Sequence, residues 1–384
     1  MQNFTFKNPT QILFGKGQIS NLAQHIPAGA RVLMTYGGGS IKTNGVYDQV
    51  VAALQGITWF EFAGIEPNPH YETLMEAVAV VKAKNIDFLL AVGGGSVVDG
   101  TKLIAAAVNF EGEPWDILAK NATFTSALPL ACVLTLPATG TESNGNSVVT
   151  RASTQEKLAF GSPLVYPQFA VLDPETTYSL PPRQIGNGVV DAFVHIIEQY
   201  LTYPVNAKVQ DRIAEGLLLT LIEEGPKALT EPKNYDVRAN VMWAATVALN
   251  GLIGVGVPQD WATHMIGHEI TALHGLDHAQ TLAVVLPSLM YQQRQQKREK
   301  LLQFGRRVWG LESDNAEVLI DQTIAATRDF FERMGVPTRL RDYGVPETSV
   351  DVLVAQLVQH NYVKLGEHGD ITPEVSRAIL LAAW

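Results

Sequence analysis

Through the first 180 or so residues, short apolar runs rich in β-branched side chains alternate with stretches of helical spacing. Runs at 31–36, 58–62, 87–92, 131–136 and 169–172 predict strands, and 46–54, 72–84 and 97–108 predict the helices between them. Continuous apolar strands separated by helices indicate a parallel sheet covered on both faces, because parallel neighbours need a crossover. After Pro181-Pro182 the pattern changes to long amphipathic stretches such as 191–201, 207–224 and 235–249, with few strand signals. The expected organisation is a doubly wound, Rossmann-like α/β domain over residues 1–180 and an all-helical domain over 181–384.

Composition narrows the functions open to such a chain. With 384 residues and 46% hydrophobic content it can bury two cores. A net charge of -10 repels a phosphate backbone, so nucleic acid is excluded as a partner. The basic run Arg294, Lys297, Arg298 and Lys300 is expected to be a solvated helix face. The single cysteine, Cys132, lies in an apolar run and reads as a buried structural thiol. No run reaches the roughly 20 apolar residues needed to span a bilayer, and the N-terminus lacks signal-peptide regions, so no membrane role and a cytoplasmic location are expected.

Two loops share a strand, glycines, helix design: Gly37, Gly38, Gly39 and Ser40 after the run ending at Tyr36, and Gly93, Gly94, Gly95 and Ser96 after Val92, with Asp99 close behind. Glycines admit a ligand close to the backbone, and the N–H groups of the next helical turn suit a phosphate. The formal dinucleotide fingerprint is not met, because Val98 stands where a third glycine is expected. The first loop carries no carboxylate to repel a 2′-phosphate and has Lys42 nearby, which favours NADP(H) over NAD(H). A third polar loop, Thr139-Gly-Thr-Glu-Ser-Asn144, is placed to line the cofactor; Thr141 occupies the glycine position of a hydrolase nucleophile elbow, which disfavours a serine hydrolase.

Histidines crowd the second half. Asp191 and His195 are four residues apart on an otherwise apolar helical face, and His264, His268, His274 and His278 follow within one short segment. Burying a carboxylate and an imidazole together is costly unless a divalent cation compensates them and draws imidazoles from a second element. Spacing alone leaves open which of His264, His268, His274 and His278 are the ligands.

The set Gly93-Gly-Gly-Ser-Val-Val-Asp99, Asp191-x-x-x-His195 and His264-x-x-x-His268 with His278 ten residues on resembles the iron-containing (group III) alcohol dehydrogenases, over nearly the whole chain. Tyr36-Gly-Gly-Gly-Ser40, Leu136-Pro-Ala-Thr-Gly140 and Gly256-Val-Pro-Gln-Asp-Trp-Ala-Thr-His264 are most similar to its bacterial NADPH-dependent aldehyde reductase and butanol dehydrogenase branch. The resemblance implies a dehydroquinate synthase-like architecture, with metal ligands Asp191, His195, His264 and His278, and with His268 beside the nicotinamide as a proton relay. It leaves His274 as a structural residue at a helix end. It also implies cofactor contacts by Gly93 to Ser96, Asp99, Thr139 and Lys157. Many relatives carry Asp at the position of Gly39 and use NAD, which again points to NADP(H) here.

Imidazole and carboxylate ligands bind zinc more tightly than ferrous iron, so zinc is ranked slightly ahead. The expected reaction is reversible reduction of a small aldehyde to a primary alcohol by hydride from NADPH, in a crevice between the two domains, with the metal polarising the carbonyl oxygen. The alternative from another class is a metal-dependent hydrolase whose glycine loops only shape the sheet. A lyase on the related scaffold would need Lys and Arg residues around the metal, and a nucleotide-binding protein without catalysis is the remaining option. A short segment, Phe4-Thr-Phe6, is expected to add an edge strand to a partner in a homodimer.

Overall fold

The apolar runs of the first half fold as parallel strands in a computed structural model that describes residues 1–384. The strands are β1 (Gln11–Phe14), β2 (Arg31–Thr35), β3 (Thr58–Phe62), β4 (Phe88–Gly94), β5 (Leu130–Leu136) and β8 (Phe169–Leu172), in the order β1-β8-β5-β4-β2-β3. The helices α1 (Ser40–Thr43), α2 (Val46–Ala53), α3 (Tyr71–Lys84), α4 (Gly95–Ala107) and α5 (Asp116–Ala119) lie between them in sequence. Successive side chains point to opposite faces, and both faces are buried. Leu33, Leu89, Ala91, Cys132, Leu134, Ala170 and Leu172 pack on one side. Val32, Met34, Leu90, Val92, Ala131, Val133 and Val171 pack on the other. This double burial explains the apolar runs of β2, β4, β5 and β8, whereas the edge strands β1 and β3 are partly exposed.

Two features were not anticipated. β1 is a four-residue edge strand with little periodicity to announce it, paired in register with β8 from Gln11 opposite Phe169 to Phe14 opposite Leu172. Residues 146–161 form an antiparallel hairpin of β6 (Asn146–Arg151) and β7 (Glu156–Gly161) apart from the main sheet. β4 also runs further than the predicted strand, through a register irregularity between Gly93 and Gly94, so that α4 starts directly at Gly95.

The rest is helical: α6 (Pro182–Tyr200), α7 (Lys208–Thr230), α8 (Tyr235–Ala248), α9 (Ala262–His274), α10 (His278–Gln292), α11 (Arg298–Arg307), α12 (Ala316–Arg333), α13 (Ser349–Gln359) and α14 (Pro373–Ala383). Pro182 opens α6 at a first-turn position, where the missing N–H costs nothing. No helix is long and apolar enough to cross a membrane.

The chain divides into two compact units, and they are not two contiguous spans. One comprises Lys7–Leu180 with Pro232–Thr246; the other comprises Met1–Phe6, Pro181–Glu231 and Val247–Trp384. Residues 232–246 belong with the sheet because Met242 packs into one of its cores, Trp243 meets Phe14 edge-on at 5.9 Å, and the Thr246 hydroxyl donates to Glu142. The first residues belong with the helices, where the Gln2 N–H donates to the Gly256 carbonyl. Phe4-Thr-Phe6 is in no strand, and Phe4 and Phe6 are exposed.

The basic run is not a solvated face. Lys297 and Lys300 are buried: Lys297 is held by Asp260 (2.9 Å) and Glu367 (2.7 Å), and Lys300 by Asp211. Arg294 and Arg298 both pair with Glu317. The acidic partners come from segments distant in sequence, which local charge patterning does not reveal.

Candidate active site

On α6, Asp191, His195 and Glu198 follow at i, i+4 and i+7, so they share one stripe of the helix, and all three are buried. On α9, His264 and His268 are one turn apart and buried. α9 ends at His274, with Gly275 as a left-handed cap whose N–H donates to the Thr271 carbonyl. Two residues later Asp277 starts α10 with a reciprocal capping box to Gln280, and its carboxylate is held by Arg183 (2.7 and 2.8 Å) and Asn187 (2.7 Å) of α6. The capped start sets His278, the first residue of α10, against α6.

Folding thus gathers one carboxylate and three imidazoles: one potential ligand atom from each of Asp191, His195, His264 and His278, all within 4.8 Å of one another. Asp191 Oδ1 is 3.6 Å from His195 Nε2 and 3.7 Å from His278 Nε2. Tetrahedral bonds of about 2.1 Å place neighbouring ligand atoms roughly 3.4 Å apart. The donor set and its spacing therefore fit a divalent cation with little adjustment. His195 and His264 stack with ring centres 4.7 Å apart, and His268 lies 5.3 Å from the His278 ring. His274 is apart from this group, at the end of its helix.

Behind His264 stands Glu198, which the sequence reading did not single out. Its Oε1 accepts from the N–H groups of Thr263 (2.7 Å) and His264 (3.3 Å), and Oε2 is hydrogen-bonded to His264 Nδ1. Burial, together with the Asp260 carboxylate, pushes the Glu198 carboxyl well above the usual carboxylate range. The signal was its place on the stripe that carries Asp191 and His195.

In the other unit the two glycine loops follow β2 and β4, which are neighbours in the sheet. Gly37, Gly38 and Gly39 lead into α1, with Gly39 at φ +97°. Lys42 lies over the rings of Tyr36 (5.1 Å) and Tyr47 (4.7 Å), and 3.7 Å from Glu61 Oε2, which accepts from both tyrosine hydroxyls. A carboxylate therefore does stand near the first loop. It comes from β3, beyond the reach of loop composition, and it partners Lys42.

At the second loop a Cβ on Gly95 would sit 2.5 Å from Thr139 Oγ1, so only glycine lets α4 and the Thr139 loop meet this closely. Ser96 Oγ accepts from the Asn68 N–H (3.2 Å), and Lys157 Nζ donates to Asn68 Oδ1 (2.9 Å), so Ser96 and Lys157 share one neighbour. Asp99 is turned inward: its carboxylate accepts from the Thr141 hydroxyl (2.5 Å) and the Val148 N–H (3.1 Å).

A second residue missed from sequence, Lys102, organises this loop. Its buried ammonium lies within 3.1 Å of five oxygens of Thr141, Asn144 and Asn146. Burial draws it down to about 8, against the pull of Asp99. The one basic residue of α4, followed by the apolar run Leu103 to Ala107, was the available signal. Cys132 is fully buried, and burial pushes its thiol up, away from reactivity.

Residues 9–174 match the model of the iron-containing alcohol dehydrogenases, and residues 186–384 match that of the C-terminal region of the same family. The NADPH-dependent aldehyde reductase YqhD of Escherichia coli (strain K12) is 62% identical over 386 residues, covering 100% of both chains. A probable NADH-dependent butanol dehydrogenase of Bacillus subtilis (strain 168) is 40% identical over 388 residues, again covering 100% of both. A crystal structure of E. coli K-12 YqhD has a TM-score of 0.99 at 61% identity, over 100% of this chain and 99% of that one. The hydrolase alternative finds no support in these relatives. The family's description by iron weighs against ranking zinc first. The chain belongs to the iron-containing alcohol dehydrogenase family and is an oxidoreductase of the aldehyde reductase and alcohol dehydrogenase type.

Proposed function

We propose that this chain reduces aldehydes to primary alcohols with NADPH, using one divalent metal held by Asp191, His195, His264 and His278. The observation that carries the reading is the convergence of those four ligand atoms within 4.8 Å, with Asp191, His195 and His264 buried and His278 partly exposed. When bound, the metal supplies Lewis-acid polarisation of a carbonyl oxygen and the nicotinamide supplies hydride. Asp191 contributes the negative charge that holds a dication, and the imidazoles supply neutral donors that leave its Lewis acidity high. His268, next to His278 but outside the ligand set, donates the proton that completes the alcohol. The family's description favours iron as the metal.

For the cofactor, Gly37, Gly38, Gly39 and Ser40 offer small side chains and backbone donors, and Gly93, Gly94, Gly95, Ser96, Thr139 and Lys157 form the second contact surface, with the inward-turned Asp99 supporting it through Thr141 and Val148. NADPH is favoured over NADH because Gly39 brings no carboxylate to the 2′-phosphate. Glu61 is paired with the Lys42 ammonium and hydrogen-bonded by two tyrosine hydroxyls. The 62% identity to an NADPH-dependent enzyme, against 40% to one named for NADH, supports the same choice.

The test is NADPH oxidation across a panel of small aldehydes, butanal included, by protein stripped with a chelator and then reloaded with Fe²⁺ or Zn²⁺. Turnover that is lost on stripping and restored on reloading, with NADPH preferred over NADH, is expected. Turnover unaffected by complete metal removal overturns the metal assignment, and equal kcat/KM for the two nucleotides overturns the cofactor assignment.

A further inference from the structure

We infer that Glu198 is a positioning residue of the metal centre, acting through His264; the inference rests on the reading of His264 as a metal ligand. Glu198 is 2% exposed and lies on the stripe of α6 that carries Asp191 and His195. Its partners are all on the first turn of α9: the N–H groups of Thr263 and His264, and His264 Nδ1. The side chain of Trp261, the N-cap residue of that helix, makes no capping hydrogen bond, and of the N–H groups of that turn Asp260 accepts only from Ala262. Glu198 supplies acceptors to the orphan N–H groups there, and the same carboxylate fixes the His264 ring.

Two consequences follow from this geometry. An imidazole has one donor and one acceptor nitrogen when neutral, so a carboxylate accepting from Nδ1 leaves the Nε2 lone pair for a cation and makes it a more basic donor. Burial and Asp260 raise the Glu198 carboxyl, while the N–H groups of Thr263 and His264, and a dication once bound, favour its anionic form behind the centre. The nearby ammonium of Lys297 is not the partner of Glu198, being engaged by Asp260, Glu367 and the Leu201 carbonyl. Glu198 thus couples the start of α9 to the ligand it presents.

The experiment compares Glu198→Gln, which keeps the size but leaves one acceptor oxygen instead of two, with the native full-length protein. Metal affinity is measured by competition with a chromophoric chelator, and the visible d–d bands are recorded after loading with Co²⁺. A 10–100-fold loss of metal affinity and a shift of the cobalt bands are expected, as for other outer partners of metal-bound histidines. NADPH fluorescence quenching stays as in the native protein. Affinity within about twofold of native, with unmoved bands, overturns the inference. A lowered melting temperature with unchanged metal affinity overturns it too, since it marks Glu198 as a helix cap alone. If Glu198→Gln does not fold, Glu198→Asp, which retains charge but falls short of Nδ1, is read by the same two measurements. His264→Ala is run alongside: if it binds metal as well as native protein, the ligand assignment has failed, independently of what Glu198 does.

Discussion

The helical unit and the sheet unit prepare their sites with opposite materials. At Asp191, His195, His264 and His278 the proposed chemistry rests on four side chains from three helices, one potential ligand atom of each lying within 4.8 Å of the others. At the glycine loops it resides in what is left out: Gly95 has no Cβ where Thr139 Oγ1 would meet one at 2.5 Å, and Gly39 carries no side chain at a φ of +97°. A constellation of side chains is vulnerable to deletion, because each ligand is irreplaceable. A backbone cradle tolerates deletion and is vulnerable to addition. The contrast predicts which substitutions silence each site while sparing the other.

The largest effect belongs to deletion in the helical unit. His264→Ala is expected to lose the metal and to lower kcat by about a thousandfold or more, the scale of several kcal/mol of Lewis-acid stabilisation. NADPH binding, followed by fluorescence quenching, should remain. Metal retained at native stoichiometry in this variant would break the comparison at its root.

Lys102 tests whether the sheet unit has a side chain as indispensable as a ligand. Lys102→Met strips Thr141, Asn144 and Asn146 of a shared buried cation and leaves Asp99 with one partner fewer. A loss of about 3 kcal/mol in urea unfolding is expected, as for other broken buried charge networks, with weakened NADPH binding. Metal content should be unchanged. An unfolding midpoint like that of the native protein would mean that the loop holds itself.

Addition is the sharper probe of the cradle. Gly95→Val forces a branched side chain into Thr139, and overpacking of about 1–3 kcal/mol should appear as a roughly tenfold or greater loss of NADPH affinity. The double change Gly95→Val with Thr139→Ala should recover part of it, since the collision is with that side chain. Absence of any recovery would show that the backbone, and not Thr139, sets the limit.

How much of this was legible in sequence depends on the range of the physics involved. Strands 58–62 and 169–172 were read to the residue, the second because a doubly buried strand announces itself by its apolar run and the first because aromatic side chains are interspersed with polar ones along a half-exposed edge strand. The Asp191 and His195 pair was legible because helical periodicity places both on one face. The choice of His264 and His278 over His274 as proposed ligands came from the resemblance and was not legible in spacing, since the geometry that gathers them depends on where α9 stops and α10 starts. β1 escaped notice because four half-exposed edge residues carry no periodic signal. Glu61, Glu198 and the acidic partners of Lys297 and Lys300 were missed for one reason. Each meets its cation, ring or helix end across a tertiary contact, and pairing of that kind leaves no trace in local composition.

The smallest effect concerns cofactor choice, where charge and backbone strain must be separated. Gly39→Asp places a carboxylate beside the 2′-phosphate site and should shift the ratio of kcat/KM values toward NADH by about tenfold, some 1.4 kcal/mol. Asp at a φ of +97° also strains the chain, so Gly39→Asn, which shares that strain without the charge, is the control. If repulsion is the cause, Asn leaves the ratio near its native value, and the Asp effect shrinks as ionic strength rises and the screening length falls below about 8 Å. Equal shifts in the two variants would assign NADPH preference to the shape of the Gly37–Ser40 turn, and Lys42 with its Glu61 partner would then be bystanders to it.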